Sequence, residues 1–202
     1  DGPIIMKAGR KAIDEGSNIN FIFDELIKNK NTISSKYVLM TYYNILSAYG
    51  EKLFLDKCDE AGVYGLIIPD LPYELTKKFK KEFYHHSVKI ISLIAMTASD
   101  ARIMQIAKNS EGFIYTVTMN ATTGNSGEFH PDLKRKIEYI KKVSKIPVVA
   151  GFGIKNPEHV KDIASVADGI VIGSEIVKRI EIDSRKEFIT YIKSIRTALN
   201  SF

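Results

Sequence analysis

The sequence predicts an α/β fold built on a parallel sheet, and three observations carry that prediction. Six short runs are apolar almost throughout: "KYVLMT" (36–41), "YGLIIP" (64–69), "VKIISLIA" (88–95), "GFIYTV" (112–117), "IPVVAG" (146–151) and "DGIVIG" (168–173). Strands covered on both faces read this way, whereas a sheet with one wet face alternates. Amphipathic stretches separate the runs, and strand follows strand at intervals of roughly 22 to 35 residues, the rhythm of βαβ units. With 202 residues, 45% of them hydrophobic, the chain can bury a sizeable core and is read as one domain, 1–202.

The elements follow in order. "DGPIIMKAGRKA" puts Asp1 before a Gly-Pro turn, and Ile4, Ile5, Ala8, Ala12 and Ile13 then recur at helical spacing. Asp1 therefore reads as the end of a loop. "MTYYN" leaves Tyr42, Tyr43 and Asn44 at a strand end, where an aromatic ring can lie on a flat apolar substrate. The helix "GEKLFLDKCDEAG" groups Cys58 with Phe54, Leu55 and Ala61, which makes this lone cysteine a buried structural thiol. A single cysteine excludes an internal disulfide and suits a reducing compartment. Asp70 stands between two prolines in "IIPDLP", either capping a turn or taking part in a site. In "LTKKFKKEF", Leu75, Phe79 and Phe83 fall four residues apart and lysines fill the other face, the pattern of a solvated amphipathic helix.

The stretch "TVTMNATTGNSGEFHP" (116–131) is rich in Thr, Asn and Gly. A loop that long at a strand's C-terminal end reads as a closing lid. "VVAGFGIKNP" ends one strand with Gly151-Phe152-Gly153, and Asn156-Pro157 then supplies a helix cap and a first-turn proline. The next unit, "GIVIGSEIVKRI", ends its strand with Gly173-Ser174 and enters a short helix, and "DSRKEFITYIKSIRTALNSF" closes the chain as a longer one.

A doubly wound open sheet and a closed (β/α)8 barrel both fit this order. The open sheet usually carries a glycine fingerprint after its first strand, and none is present here. Two glycine turns in the last two adjacent units instead suit the phosphate grip of a barrel's seventh and eighth strands, where backbone N–H groups meet the phosphate and a side chain would block its approach.

Charge and composition exclude several classes. The net charge of +5, from 29 Lys and Arg against 24 Asp and Glu, is spread along helices and gives mild attraction for anions. No basic motif or row of aromatics suggests nucleic acid. No apolar run reaches the roughly 18 to 20 residues of a membrane span, and the first residues lack the form of a signal peptide, so a soluble cytoplasmic protein is expected. His85, His86, His130 and His159 show no paired ligand spacing, so no dedicated metal site is expected.

Taken in order, "DGPII", "MTYYN", "IIPDLP", "FIYTVTMNATTG", "VVAGFGI" and "ADGIVIGSEIVK" resemble the tryptophan synthase alpha subunit family over the whole chain. The lysine-rich composition with "NATTG" resembles its low-GC Gram-positive form. The resemblance implies a (β/α)8 TIM barrel that cleaves indole-3-glycerol phosphate to indole and glyceraldehyde 3-phosphate without a cofactor of its own. It implies Asp1 as a catalytic carboxylate on the indole N–H, and Ile5, Tyr42, Tyr115, Thr123 and Phe152 around the substrate. It implies that Gly124, Gly151, Gly153, Gly173 and Ser174 hold the phosphate, with Asn44 and Asp70 in support. It also implies a pyridoxal-phosphate-dependent beta subunit as partner in an alpha2-beta2 complex, met near "MTYYNILSAYG" and "LPYEL".

The family's acid/base glutamate and two strands belong ahead of Asp-Gly-Pro, so the expected fold is a barrel with its first two strands missing. An inactive barrel fragment, or a regulatory chain acting only through the beta subunit, is the alternative. Another phosphate-binding barrel, such as a phosphosugar epimerase or indole glycerol phosphate synthase, would need lysines or metal-binding histidines at the strand ends, where Asn44, Asp70 and Tyr115 stand instead.

Overall fold

Backbone pairing makes every strand parallel to its neighbours. The computed structural model describes residues 2–117, 132–151 and 153–201. The first half contains α1 (Pro3–Asp14), α2 (Ile19–Asn29), β1 (Tyr37–Met40), α3 (Tyr43–Tyr49), α4 (Glu51–Ala61), β2 (Val63–Ile67), α5 (Tyr73–Glu82) and β3 (Lys89–Ile90). The second contains β4 (Ser92–Ala95), α6 (Asp100–Ala107), β5 (Ile114–Val117), α7 (Leu133–Val143), β6 (Val148–Gly151), α8 (Pro157–Ala164), β7 (Gly169–Val171), α9 (Ser174–Ile182) and α10 (Arg185–Leu199).

The apolar run expected as one strand at 88–95 is two segments. β3 pairs with β2 through Gly65↔Lys89 and Leu66↔Ile90, whereas β4 pairs with β5 from Ser92↔Ile114 to Ala95↔Val117. Ile91 is the pivot, its N–H donating to the Leu66 carbonyl at 2.8 Å. The result is two sheets, ordered β1-β2-β3 and β4-β5-β6-β7, joined by one stretch of chain. Such stagger is what tilted strands in a curved, barrel-like wall require.

Apolar side chains sort onto the two faces of this wall. Ile94, Ile114, Val148 and Ala150 point outward under α6, α7, α8 and α10, and Leu66, Ile68 and Ile90 point outward under α4 and α5. Ile67, Ile91 and Tyr115 form an inner cluster with Val38, Leu93 and Val171. Apolar side chains therefore occupy both faces, which is why the strands read as continuous apolar runs. The Thr116 hydroxyl, fully buried, donates to the Val149 carbonyl at 3.0 Å.

Two helices escaped the sequence reading. α2 is capped by Asn18, whose side chain accepts from the Phe21 N–H, and it inserts Phe23 between Tyr49 and Phe54 at ring distances of 6.0 and 5.2 Å. α3 starts directly after β1, so Tyr43 and Asn44 are helical rather than a loose strand end. Cys58 is fully buried and its thiol is pushed up to about 12 by burial, as befits a structural role. On α5, Phe79 is buried, but Leu75 is half exposed, a departure from the apolar face that its spacing predicts. α1 packs against α9, with Lys7 donating to Glu181 at 2.9 Å, and this contact draws the chain's first helix to the end of the strand array.

Candidate active site

Register brings the glycine turns together. Val117 pairs with Gly151 and Gly151 with Val171, so Gly153 and Gly173, each two residues further on, leave adjacent strands at the same height. Gly153 has φ +78°, a left-handed conformation that favours glycine. The chain then enters α8 through Asn156, whose side chain accepts from the His159 N–H at 2.9 Å, with Pro157 in the first turn. His159 Nδ1 donates back to the Gly153 carbonyl at 3.1 Å and fixes the turn from the helix side. Gly173 caps α9, a Cβ there would meet open space, and Ser174 is the first helical residue. Two helix N-termini thus start at neighbouring strand ends, that of α9 without a side-chain cap, an arrangement suited to a phosphate.

Gly151 is required for another reason. The sequence reading explained it by the approach of a phosphate, but a Cβ there would fall inside the ring of Tyr115. Tyr115 is 4% exposed in the inner cluster, and burial pushes its hydroxyl up to about 12. It stays protonated at neutral pH.

The ends of β1 and β2 are built differently. Asp70 is exposed and accepts from the Tyr43 N–H at 2.9 Å, capping the start of α3. Its turn-capping reading therefore has a specific partner. Tyr42 precedes α3 and Asn44 lies in its first turn, both exposed. Exposed Met40, Tyr42, Ile45 and Leu75 gather on these elements. The structure thus brings Tyr115, Gly151, Gly153, Gly173 and Ser174 together, and sets Tyr42, Asn44 and Asp70 apart on the other sheet. Ile5 is half-buried on α1, the helix that packs on α9. Asp1, Thr123, Gly124 and Phe152 lie outside the described residues.

One residue gave no signal in the sequence. Lys136 is buried, and its ammonium group donates to the carbonyls of Met96 and of Ala98, the latter at 2.9 Å. It pins α7 to the turn after β4, yet in "LKRKIEYIKK" it looks like any other surface lysine of the helix. A groove of about 670 Å³ beside α8 is lined by Lys155, Arg179 and Tyr191. Its arginine is already held by Glu175 and Asp183 and stacks on Tyr191 at 4.0 Å, so the charge is spent within the fold. Among the described residues, no group of three His, Cys, Asp or Glu could hold a metal ion, and no helix is long and apolar enough to cross a membrane.

Comparison with known proteins bears on the same residues. A family model described as "Tryptophan synthase alpha chain" matches residues 1–200. A tryptophan synthase alpha chain of Staphylococcus epidermidis is 98% identical over 201 residues, covering 100% of this chain and 83% of that one. Its Staphylococcus aureus counterpart is 61% identical with the same coverage. The solved tryptophan synthase subunit alpha from Campylobacter jejuni superposes with a TM-score of 0.85 at 31% identity, over 96% of this chain and 78% of that chain.

Proposed function

The chain belongs to the tryptophan synthase alpha chain family, lyases that cleave indole-3-glycerol phosphate in tryptophan biosynthesis, and we propose that the cleavage here runs at the C-terminal ends of β5, β6 and β7. The observation that carries this reading is the pair of glycine turns at neighbouring strand ends, each leading into a helix N-terminus. The Gly153 and Gly173 turns, with Ser174, hold the phosphate through backbone N–H groups. Tyr115 presents a protonated phenol beside Gly151 to the substrate.

The chemistry needs a proton at indole C3. Protonation there turns the bond to the glycerol phosphate into one that can break, its electrons returning to the ring while the adjacent hydroxyl loses its proton and becomes the aldehyde. Asp1 lies on the indole N–H and stabilises the positive charge that develops, a pre-placed counter-charge of the kind that dominates catalysis. Ile5, Tyr42 and Phe152 line the ring pocket, Thr123 and Gly124 meet the substrate from the 116–131 loop, and Asn44 and Asp70 support.

Residues 1–202 act as a single domain in the cytoplasm. The partner is a beta subunit that holds the pyridoxal phosphate, seated on the exposed apolar residues of α3 and the 69–73 loop in an alpha2-beta2 complex. Indole release from indole-3-glycerol phosphate, assayed with and without added beta subunit, tests this. Activity in the chain alone that rises with the partner is expected. No indole in either assay, with the beta reaction still stimulated, would leave a regulatory chain.

A further inference from the structure

At residues 89–95 the chain changes its ladder partner. β2 is bonded to β3 only through Gly65 and Leu66, and β4 is bonded to β5 from Ser92 onward, so the end of β2 and β4 form no ladder with each other among the described residues. The helices covering this gap contribute to different outer clusters. Phe79 of α5 joins one outer apolar cluster, and Ile103 and Ile106 of α6 join the other.

Between them lies a cavity of about 260 Å³, floored by Ile68, Ile90 and Ser92 and walled by Thr76, Arg102 and Ile106. Protein interiors pack at crystal density with few voids larger than a water, and apolar cavities of roughly 150 Å³ take up benzene. This one is larger, and most of its lining residues are apolar.

Its polar groups are few and specific. Arg102 sits at the mouth, but both its terminal nitrogens donate to Glu74, one at 3.2 Å, in a fork that straps α5 to α6. The hydrogen bonds from Arg102 hold the Glu74 carboxyl at about 2, so the pair stays ionised and self-neutralising. The Thr76 hydroxyl is engaged by the Pro72 carbonyl at 3.2 Å. The Ser92 hydroxyl makes no hydrogen bond among the described residues and sits in the cavity floor, half-buried.

We propose that this seam binds a neutral planar aromatic molecule of one or two rings carrying a single hydroxyl or ring N–H, with the ring between Ile68, Ile90 and Ile106 and the polar group on Ser92 Oγ. A charged ligand would find no free counter-charge, and a purely apolar one would leave Ser92 unsatisfied.

Phenol and toluene are the probes, titrated into isotope-labelled protein while amide resonances are followed. Phenol should saturate one site and shift the amides of Thr76, Ser92, Ala98 and Arg102, with toluene binding at least threefold more weakly. Ser92→Ala should remove the preference for phenol over toluene, and Thr76→Phe, which fills the cavity from α5, should abolish both, with the lyase rate unchanged in each variant. Ser92→Ala introduces no bulk and decides the matter if Thr76→Phe does not fold. Shifts confined to Tyr115 and Gly151, non-saturating shifts, or an undiminished phenol preference in Ser92→Ala would overturn the proposal.

Discussion

The strand ends of β5–β7 and those of β1–β2 face the same way but are made of opposite materials. The first set ends in glycines, a buried tyrosine and two helix N-termini. The second ends in a carboxylate-capped helix and exposed apolar side chains. The uncapped N-terminus of α9 and bare backbone suit a small anion, whereas exposed Met40 and Ile45 beside a rigid cap suit another protein surface. On the proposed function, the first set serves the phosphate and the second chiefly the partner, so substitutions in the two sets should fail in different ways.

The largest effect belongs to Gly151→Ala. Its Cβ meets the Tyr115 ring, and overpacking of this kind costs about 1–3 kcal/mol. Urea unfolding should show that loss, and indole formation should drop with it. In a Tyr115→Ala background the added cost of Gly151→Ala should fall below about 0.5 kcal/mol, because the clash has gone. An unchanged cost in that background would mean that Gly151 answers to something other than Tyr115.

Ser174→Asp should separate stability from function. A carboxylate in the first turn of α9 favours the helix by a few tenths of a kcal/mol, roughly 0.3–1. The same charge repels a bound phosphate, and like-charge juxtaposition of about 2–3 kcal/mol would lower kcat/KM on the order of 100-fold through KM. A variant that keeps its KM would remove the phosphate from this turn.

Asp70→Ala tests the other set. Loss of the cap on Tyr43 should cost about 1 kcal/mol in unfolding. The lyase rate of the chain alone should fall only slightly, in keeping with a supporting role, and stimulation by the beta subunit should fall more. The reverse outcome would place Asp70 among the groups that serve the chemistry.

The sequence carried the strand order and the glycine turns because both rest on local rules: continuous apolar runs for two-sided burial, and Gly or Asn-Pro where a strand turns into a helix. Relations across the chain were hidden. Nothing local says that the run 88–95 changes partners at Ile91, since this depends on the tilt of neighbouring strands. Lys136 reads as a solvated lysine because its acceptors, the carbonyls of Met96 and Ala98, lie some forty residues away and are backbone atoms. Gly151 was legible as a glycine that matters, but its reason is a tertiary contact with Tyr115. α2 is different: Ile19, Phe23, Leu26 and Ile27 recur at helical spacing behind the Asn18 cap, so this helix was legible and was overlooked.

The smallest effects are expected at the opposite, N-terminal ends of the strands, where each half carries one depressed carboxylate. Burial alone would raise Asp59, but hydrogen bonds from Ser87 and His86 outweigh it and hold the group below the usual carboxylate range. Burial likewise opposes ionisation of Asp168, and the Lys141 ammonium at 2.8 Å with the Val148 N–H reverses it. A depressed carboxylate contributes stability that is complete above its unfolded value near about 4 and is lost as pH falls through its folded value. Both side chains are about a third exposed, so each should contribute less than about 1 kcal/mol. Hydrogen exchange at pH 6 and pH 3 reads the halves separately. Asp168→Asn should lower protection of β6 and β7 at pH 6 and flatten its dependence on pH, leaving β1 and β2 unchanged, and Asp59→Asn should do the converse around β2 and β3. If either variant loosens both halves equally, the two sheets open as one cooperative unit, and their difference is confined to the chemistry of their C-terminal ends.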